Sequence, residues 1–130
     1  MAGILLVTHN GLGDSLVDCV NHVLGSVPDN LRVLSVLAND DPQLKLVEGQ
    51  TLIKQLDNGS GVLILADVFG ATPSNIARQL CRTEHVVGVA GVNLPMLLRV
   101  VSHPVTALHE LAKLALDGGR DCIVYMDANI

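Results

Sequence analysis

Two side chains in this sequence have the types and the setting to do chemistry together. One is an imidazole, His9, inside "GILLVTHNGLGDSL" (residues 3–16), and the other a carboxylate, Asp67, at the end of "GVLILAD" (residues 61–67). Each follows a short aliphatic run that reads as a buried strand. An imidazole that donates one ring N–H to a carboxylate has its tautomer fixed, and its second nitrogen then presents a lone pair outward. That nitrogen is a nucleophile. A third feature, "FGATPS" (residues 69–74), opens a helix. There Gly70 lets the backbone approach closely, the N–H groups of Ala71 and Thr72 can face an anion, and the Thr72 hydroxyl adds a donor. A phosphoryl electrophile suits such a set. Asn10, directly after the imidazole, and Asn93, in "GVNLPML", stand at the edge of the same candidate site.

The elements that must position these residues are legible in the hydrophobic pattern. Short apolar runs alternate with longer stretches of 3.6-residue period, the mark of βα units on a parallel sheet. Strands are expected at Gly3–Val7, Leu31–Leu37, Gly61–Asp67 and in "HVVGVAGV" (residues 85–92). Between them, one helix carries Leu16, Val17, Val20, Val23 and Leu24 on one face and ends at Gly25. A second starts with an Asp40 or Asp41 cap and Pro42, and contains a weakening Gly49. A third takes Thr72 as N-cap with Pro73 at its first position, and a fourth takes Asn93 as cap. A last helix is expected over Val105–Asp117, stopped by Gly118 and Gly119, before a short strand "CIVYM" (residues 122–126). The fold class is therefore α/β, with a mostly parallel sheet of about four strands and helices on both faces. In an open parallel sheet ligands bind beyond the carboxyl ends of the strands, which is where His9, Asp67 and Asn93 fall.

Composition narrows the function classes. The 130 residues make one domain, 1–130, with 49% hydrophobic residues but one Phe, one Tyr and no Trp. A chain so poor in aromatics offers no stacking platform for single-stranded nucleic acid, and a net charge of -5 argues against a phosphate-backbone binder. No apolar stretch reaches the roughly 20 residues that cross a bilayer, and the start, "MAGILLV", lacks a basic leader. A soluble, cytoplasmic protein is expected. Cys19, Cys81 and Cys122 are odd in number and free of C-x-x-C pairing, the pattern of reduced, buried thiols. A dinucleotide fingerprint would need glycine where Leu16 stands, a P-loop and a G-x-S-x-G elbow are absent, and the remaining histidines have no metal-ligand spacing. No metal and no cofactor are expected. On the residues alone, a satisfied structural pair between His9 and Asp67 stays open beside the nucleophile.

The motifs "THNGLG", "GVLILADVFGATPSNIA" and "GVNLPML", in this order, resemble the IIA component of the mannose-type sugar phosphotransferase system over essentially the whole chain. The resemblance implies a phosphocarrier. In that family the histidine after strand one takes a phosphoryl group from the phosphocarrier protein HPr, itself charged by enzyme I from phosphoenolpyruvate, and passes it to a IIB component for sugar uptake. It maps the acceptor onto His9, with phosphate on Nε2, the orienting carboxylate onto Asp67, and the phosphate cradle onto Gly70, Ala71 and Thr72. It also implies a homodimer, with "CIVYM" adding antiparallel to the partner's sheet, and peripheral association with membrane IIC and IID components through IIB. Three positions depart from the family pattern: Asn10 stands where glycine is common, and Ala71 and Thr72 where a second glycine and a serine are frequent. A stand-alone IIA that signals by its phosphorylation state is the alternative output, since the sequence reaches Ile130 without a IIB domain.

Overall fold

The computed structural model describes residues 1–129. Ile130, the last residue of the expected domain, lies outside them. The chain runs β1 (Gly3–His9), α1 (Leu12–Leu24), β2 (Leu31–Val36), α2 (Pro42–Leu56), β3 (Val62–Ala66), α3 (Thr72–Leu80), β4 (Val86–Ala90), α4 (Leu94–Val101) and α5 (Leu108–Asp121). All four strands are parallel, in the order β2-β1-β3-β4.

The two central strands, β1 and β3, read as nearly unbroken apolar runs because both faces of the sheet are covered there, yet the two-residue period still sorts their side chains. Ile4 and Leu6 of β1, with Leu63 and Leu65 of β3, turn to the face covered by Val20 of α1, Leu97 and Val100 of α4, and Leu111 and Ala115 of α5. Leu5 and Val7, with Ile64 and Ala66, turn to Leu56 of α2 and to Ile76, Ala77 and Leu80 of α3. Each fully buried Leu, Ile or Val among them contributes roughly 1.5–3 kcal/mol. Slipping β1 by one residue would exchange its two sets between faces, so the pairing of β1 with β3 is strongly specified.

That pairing positions the site. Val7 lies opposite Ala66, so the strands end side by side, with His9 two residues beyond Val7 and Asp67 one beyond Ala66. From these neighbouring ends the chain departs in opposite directions: α1 leaves β1 for one face of the sheet and α3 leaves β3 for the other. The crevice between them is the topological switch point, where open parallel sheets bind ligands.

The turn from β1 into α1 is tightly built. Asn10 has a left-handed φ of 48°, and its N–H donates to the Val36 carbonyl at 3.0 Å. The buried Thr8 hydroxyl accepts the Gly13 N–H at 2.9 Å. A Cβ at Gly13 would stand 2.7 Å from both Thr8 Oγ1 and Val33 Cγ1, so this glycine allows the helix to start close against β1 and β2.

Several expectations need correction. Thr72 is the first residue of α3 and not its cap; Ala71 holds the cap position in extended conformation, and its carbonyl accepts the Asn75 N–H. Gly118 and Gly119 do not stop the last helix, which begins at Leu108 and continues to Asp121. They lie against α4: a Cβ on Gly118 would meet Arg99 Cδ at 3.0 Å, and one on Gly119 would meet Met96 Cε at 2.7 Å. Their missing side chains serve helix contact, and that packing outweighs their poor helix propensity. The expected last strand, residues 122–126, pairs with nothing in the described chain, and Ile123, Val124, Tyr125 and Met126 are exposed. Cys122 is exposed as well, whereas Cys19 and Cys81 are half-buried; all three are free thiols. Other signals held: Gly25 caps α1 with φ 83°, Asp41 caps α2 by accepting the Gln43 N–H, and Asn93 caps α4.

Candidate functional site

His9 ends β1 and Asp67 follows β3, and the two meet across the strand ends. Asp67 Oδ2 accepts both the backbone N–H of His9 and its ring Nδ1–H, each at 2.8 Å, while Oδ1 accepts the Val68 N–H at 2.9 Å. Burial pushes the Asp67 carboxyl up, and it is the largest single influence. The hydrogen bonds from His9 and Val68 and the charge of the imidazole together outweigh it and hold the group below the usual carboxylate range. An ionised Asp67 can only accept at these positions, so a His9 proton sits on Nδ1, and in the neutral imidazole the lone pair is then on Nε2. The carboxylate side chain is 5% exposed and the imidazole 46% exposed, so the orienting group is buried and the free nitrogen is presented.

Beside His9 lies an open recess of about 320 Å³, whose walls include Asn10, Leu37, Asp40, Thr72 and Pro73. α3 begins at this recess. Its opening turn is stapled by Ser74, a residue 2% exposed, whose hydroxyl accepts the Gly70 N–H at 2.8 Å and donates to the Ala71 carbonyl at 2.9 Å. Gly70, with φ 91°, makes the bend. Among the described residues the N–H groups of Ala71, Thr72 and Ser74 have no protein acceptor, as expected of a helix start, and they carry the positive end of the helix dipole. A shaped anion site beside a presented nucleophilic nitrogen is what the arrangement offers.

The sequence-level candidates divide accordingly. His9, Asp67, Asn10 and Thr72 come together at the recess. The Gly70 N–H is turned inward to Ser74, so its contribution is the bend itself. Asn93 is committed elsewhere: its Oδ1 accepts the Met96 N–H at 2.9 Å and its Nδ2 donates to the Gly119 carbonyl at 3.0 Å, tying α4 to α5. Three contributors escape a reading of the sequence. Thr8 and Ser74 act through hydrogen bonds within their turns, for which a lone Thr or Ser gives no signal. Asp40 reaches the recess from the β2–α2 loop, where its Oδ2 accepts the Leu37 N–H at 2.7 Å and lies 3.7 Å from Lys45 Nζ.

Fold and site thus define a doubly wound α/β domain that carries a carboxylate-held imidazole at its switch point. The chain matches the family described as PTS system fructose IIA component over residues 3–115, and it belongs to this mannose/fructose type of phosphotransferase-system EIIA proteins. It is 27% identical over 128 residues to the PTS system mannose-specific EIIAB component of Escherichia coli strain K12, an alignment covering 96% of this chain. The alignment spans only 39% of that longer relative. It is also 27% identical over 103 residues to the PTS system fructose-specific EIIA component of Bacillus subtilis, covering 78% of this chain and 70% of the relative. Among solved structures, the mannose/sorbose-specific IIA subunit of Enterococcus faecalis superposes with a TM-score of 0.86 at 25% identity, covering 97% of this chain and 95% of that one. The EIIA component of Streptococcus agalactiae shares the fold with a TM-score of 0.85 at 20% identity, covering 96% and 97%.

The buried carboxylate sets a pH test of the site's geometry. Because the folded carboxyl of Asp67 lies below its ordinary value, its contribution to stability is complete above the unfolded value of about 3.9 and is lost as the pH falls through the folded one. Asp67→Asn puts an amide where acceptors are needed and leaves a buried donor unsatisfied, which costs about 1–3 kcal/mol near pH 6. In urea unfolding, the gap between the two proteins should narrow as the pH falls from about 5 to about 3. A gap that stays constant over that span contradicts the hydrogen-bonded, ionised carboxylate.

Proposed function

We propose that this chain is a phosphocarrier in which His9 Nε2 accepts a phosphoryl group from phospho-HPr and passes it to a IIB component. The observation that carries this reading is the pair of 2.8 Å bonds that clamp His9 to Asp67 and leave Nε2 free beside the start of α3. In the transfer, the Nε2 lone pair forms the new N–P bond while the donor's N–P bond breaks and its electron pair returns to the donor imidazole. The Nδ1 proton stays on the Asp67 side, and the imidazolium that develops is stabilised by the carboxylate. Since one phosphohistidine replaces another, the step is close to isoenergetic, and catalysis reduces to in-line positioning and electrostatic stabilisation. The N–H groups of Ala71 and Thr72, with the Thr72 hydroxyl, face the phosphoryl oxygens.

A protein donor fits the surroundings. Leu12, Leu37 and Val68 are large, exposed apolar residues on the segments that follow β1, β2 and β3, at the same edge of the sheet as His9. Such an apolar rim around a shallow recess suits a docking face that excludes water from the transfer. The names of the relatives, one mannose-specific and one fructose-specific, support a place in sugar uptake through a IIB partner.

The same reading includes a homodimer. β4 is an edge strand whose outer side borders a groove of about 560 Å³, walled by residues such as Phe69, Ala77, Cys81 and Val89. An open edge of this kind invites strand addition, and residues 122–126 are an unpaired apolar segment of strand-like composition. The segment of one copy adds to β4 of the other and fills the groove.

Two experiments test these statements. Incubation with phosphoenolpyruvate, enzyme I and HPr is expected to leave an acid-labile, base-stable phosphate on the protein, absent in His9→Ala and formed at least about tenfold more slowly in Asp67→Asn, whose amide holds the ring less well. Undiminished label in His9→Ala refutes the acceptor, and an unchanged rate in Asp67→Asn refutes the orienting role. By sedimentation, the unaltered protein should run as a dimer and the doubly charged variant Ile123→Lys with Tyr125→Lys as a folded monomer. A monomeric parent protein, or a variant that remains dimeric, removes the strand-addition account.

A further inference from the structure

The donors around the recess are unusual in being neutral. Among the described residues no Lys or Arg lines it, and Asp40 adds a carboxylate to its wall. Lys45, which lies 3.7 Å from Asp40 of that wall, is held by Glu48 at 2.9 Å. A phosphoryl group on Nε2 would bring three terminal oxygens and about two negative charges into this space. The start of α3 can serve some of them with its free N–H groups and the Thr72 hydroxyl. Apart from His9 itself, Asn10 is the one residue of the recess lining whose side chain carries N–H donors.

Asn10 occupies a position that favours glycine. Its φ of 48° is left-handed, and its backbone N–H is anchored on the Val36 carbonyl at 3.0 Å. Asparagine tolerates this conformation better than other residues with a side chain, but glycine adopts it with less strain. Among the described residues the carboxamide makes no hydrogen bond, so nothing in the fold occupies it. It is a free donor on a rigidly placed backbone, one residue from the acceptor imidazole.

We propose that the Asn10 carboxamide donates a hydrogen bond to the phosphoryl group carried by His9, and so sets how much phosphate the protein holds against its donor. The inference rests on the phosphocarrier reading above. Asn10 takes no part in the covalent step: the N–P bond still forms on Nε2 as the donor's N–P bond breaks, and the amide contributes only a charge-assisted hydrogen bond to a terminal oxygen.

Two variants preserve the turn while changing the donor. Asn10→Gly suits φ 48° better than the parent and deletes the amide; Asn10→Asp keeps the shape and the tolerance for this conformation but presents a carboxylate. Each protein would be equilibrated with phosphoenolpyruvate, pyruvate, enzyme I and HPr, and the transfer constant taken from the phosphorylated fractions of HPr and of the chain. The constant is expected to fall about tenfold in Asn10→Gly and further in Asn10→Asp, with thermal unfolding of the glycine variant no lower than that of the parent. A fall of less than about threefold in Asn10→Gly, or an aspartate variant that holds as much phosphate as the glycine one, overturns the proposal. If the parent protein takes no label, the phosphocarrier reading fails and this inference with it. If the parent takes label and the glycine variant matches it, the inference alone falls.

Discussion

The structure depends on one carboxylate between two strand ends. Asp67 receives both the backbone and the ring N–H of His9, so a single oxygen joins β1 to β3 just past their last shared register pair and also sets the imidazole's tautomer. Such an arrangement needs a rigid frame, because a shift of an ångström would trade hydrogen bonds for a buried, unpaired charge. The frame is the parallel pairing of two central strands whose side chains are buried on both faces. The hydrophobic core therefore sets the chemistry through register: the residues that pack Ile4, Leu6, Ile64 and Leu65 also decide where His9 meets Asp67.

Around that bond the two turns have different designs. The β1–α1 turn is held by Thr8, Asn10 and Gly13, and the β3–α3 turn by Gly70 and Ser74, each using a buried hydroxyl as a local hydrogen-bond hub. A hydroxyl suits this purpose because it accepts from one backbone group and can donate to another, closing a turn without exposing a charge. The N–H groups left over at the start of α3 are then fixed in direction before any anion arrives. Preorganised dipoles of this kind need no rearrangement as charge moves through a transition state.

Much of this was legible in the sequence, for reasons that can be named. The runs at residues 3–7 and 62–66 survive as strands because central strands covered on both faces must be apolar throughout, and those at 31–36 and 86–90 survive beside them as edge strands with exposed residues. Gly25, Asp41 and Asn93 were readable as caps because capping is local chemistry. His9 and Asp67 were readable as neighbours because topology sends strand ends to one edge. The failures are tertiary. Gly118 and Gly119 look like a stop signal until Arg99 and Met96 of α4 are seen lying against them, and Asn93 looks like a site residue until its amide is found on Gly119. Ser74 gave no signal and Asp40 read only as a candidate helix cap, since each matters at the site through a partner that only the folded turn supplies. The strand expected at residues 122–126 has no partner among the described residues, and apolar periodicity carries no information about whether a partner lies in the same molecule.

The charge pattern of the recess bears on what a phosphocarrier must avoid. A carrier that bound its phosphoryl group through a cluster of arginines and lysines would gain strong charge-assisted contacts, and the next acceptor would have to overcome them. Transfer onward requires that the phosphorylated state be neither trapped nor spent on water. With neutral donors on α3 and a carboxylate from Asp40 in the wall, the recess can orient a phosphoryl group while contributing little net attraction to it. On the phosphocarrier proposal the exposed apolar residues on the surrounding segments gain importance, because shielding from water would come with a docked partner and leave with it. On this account reversibility is a property of the donor set, and commitment to transfer a property of the rim.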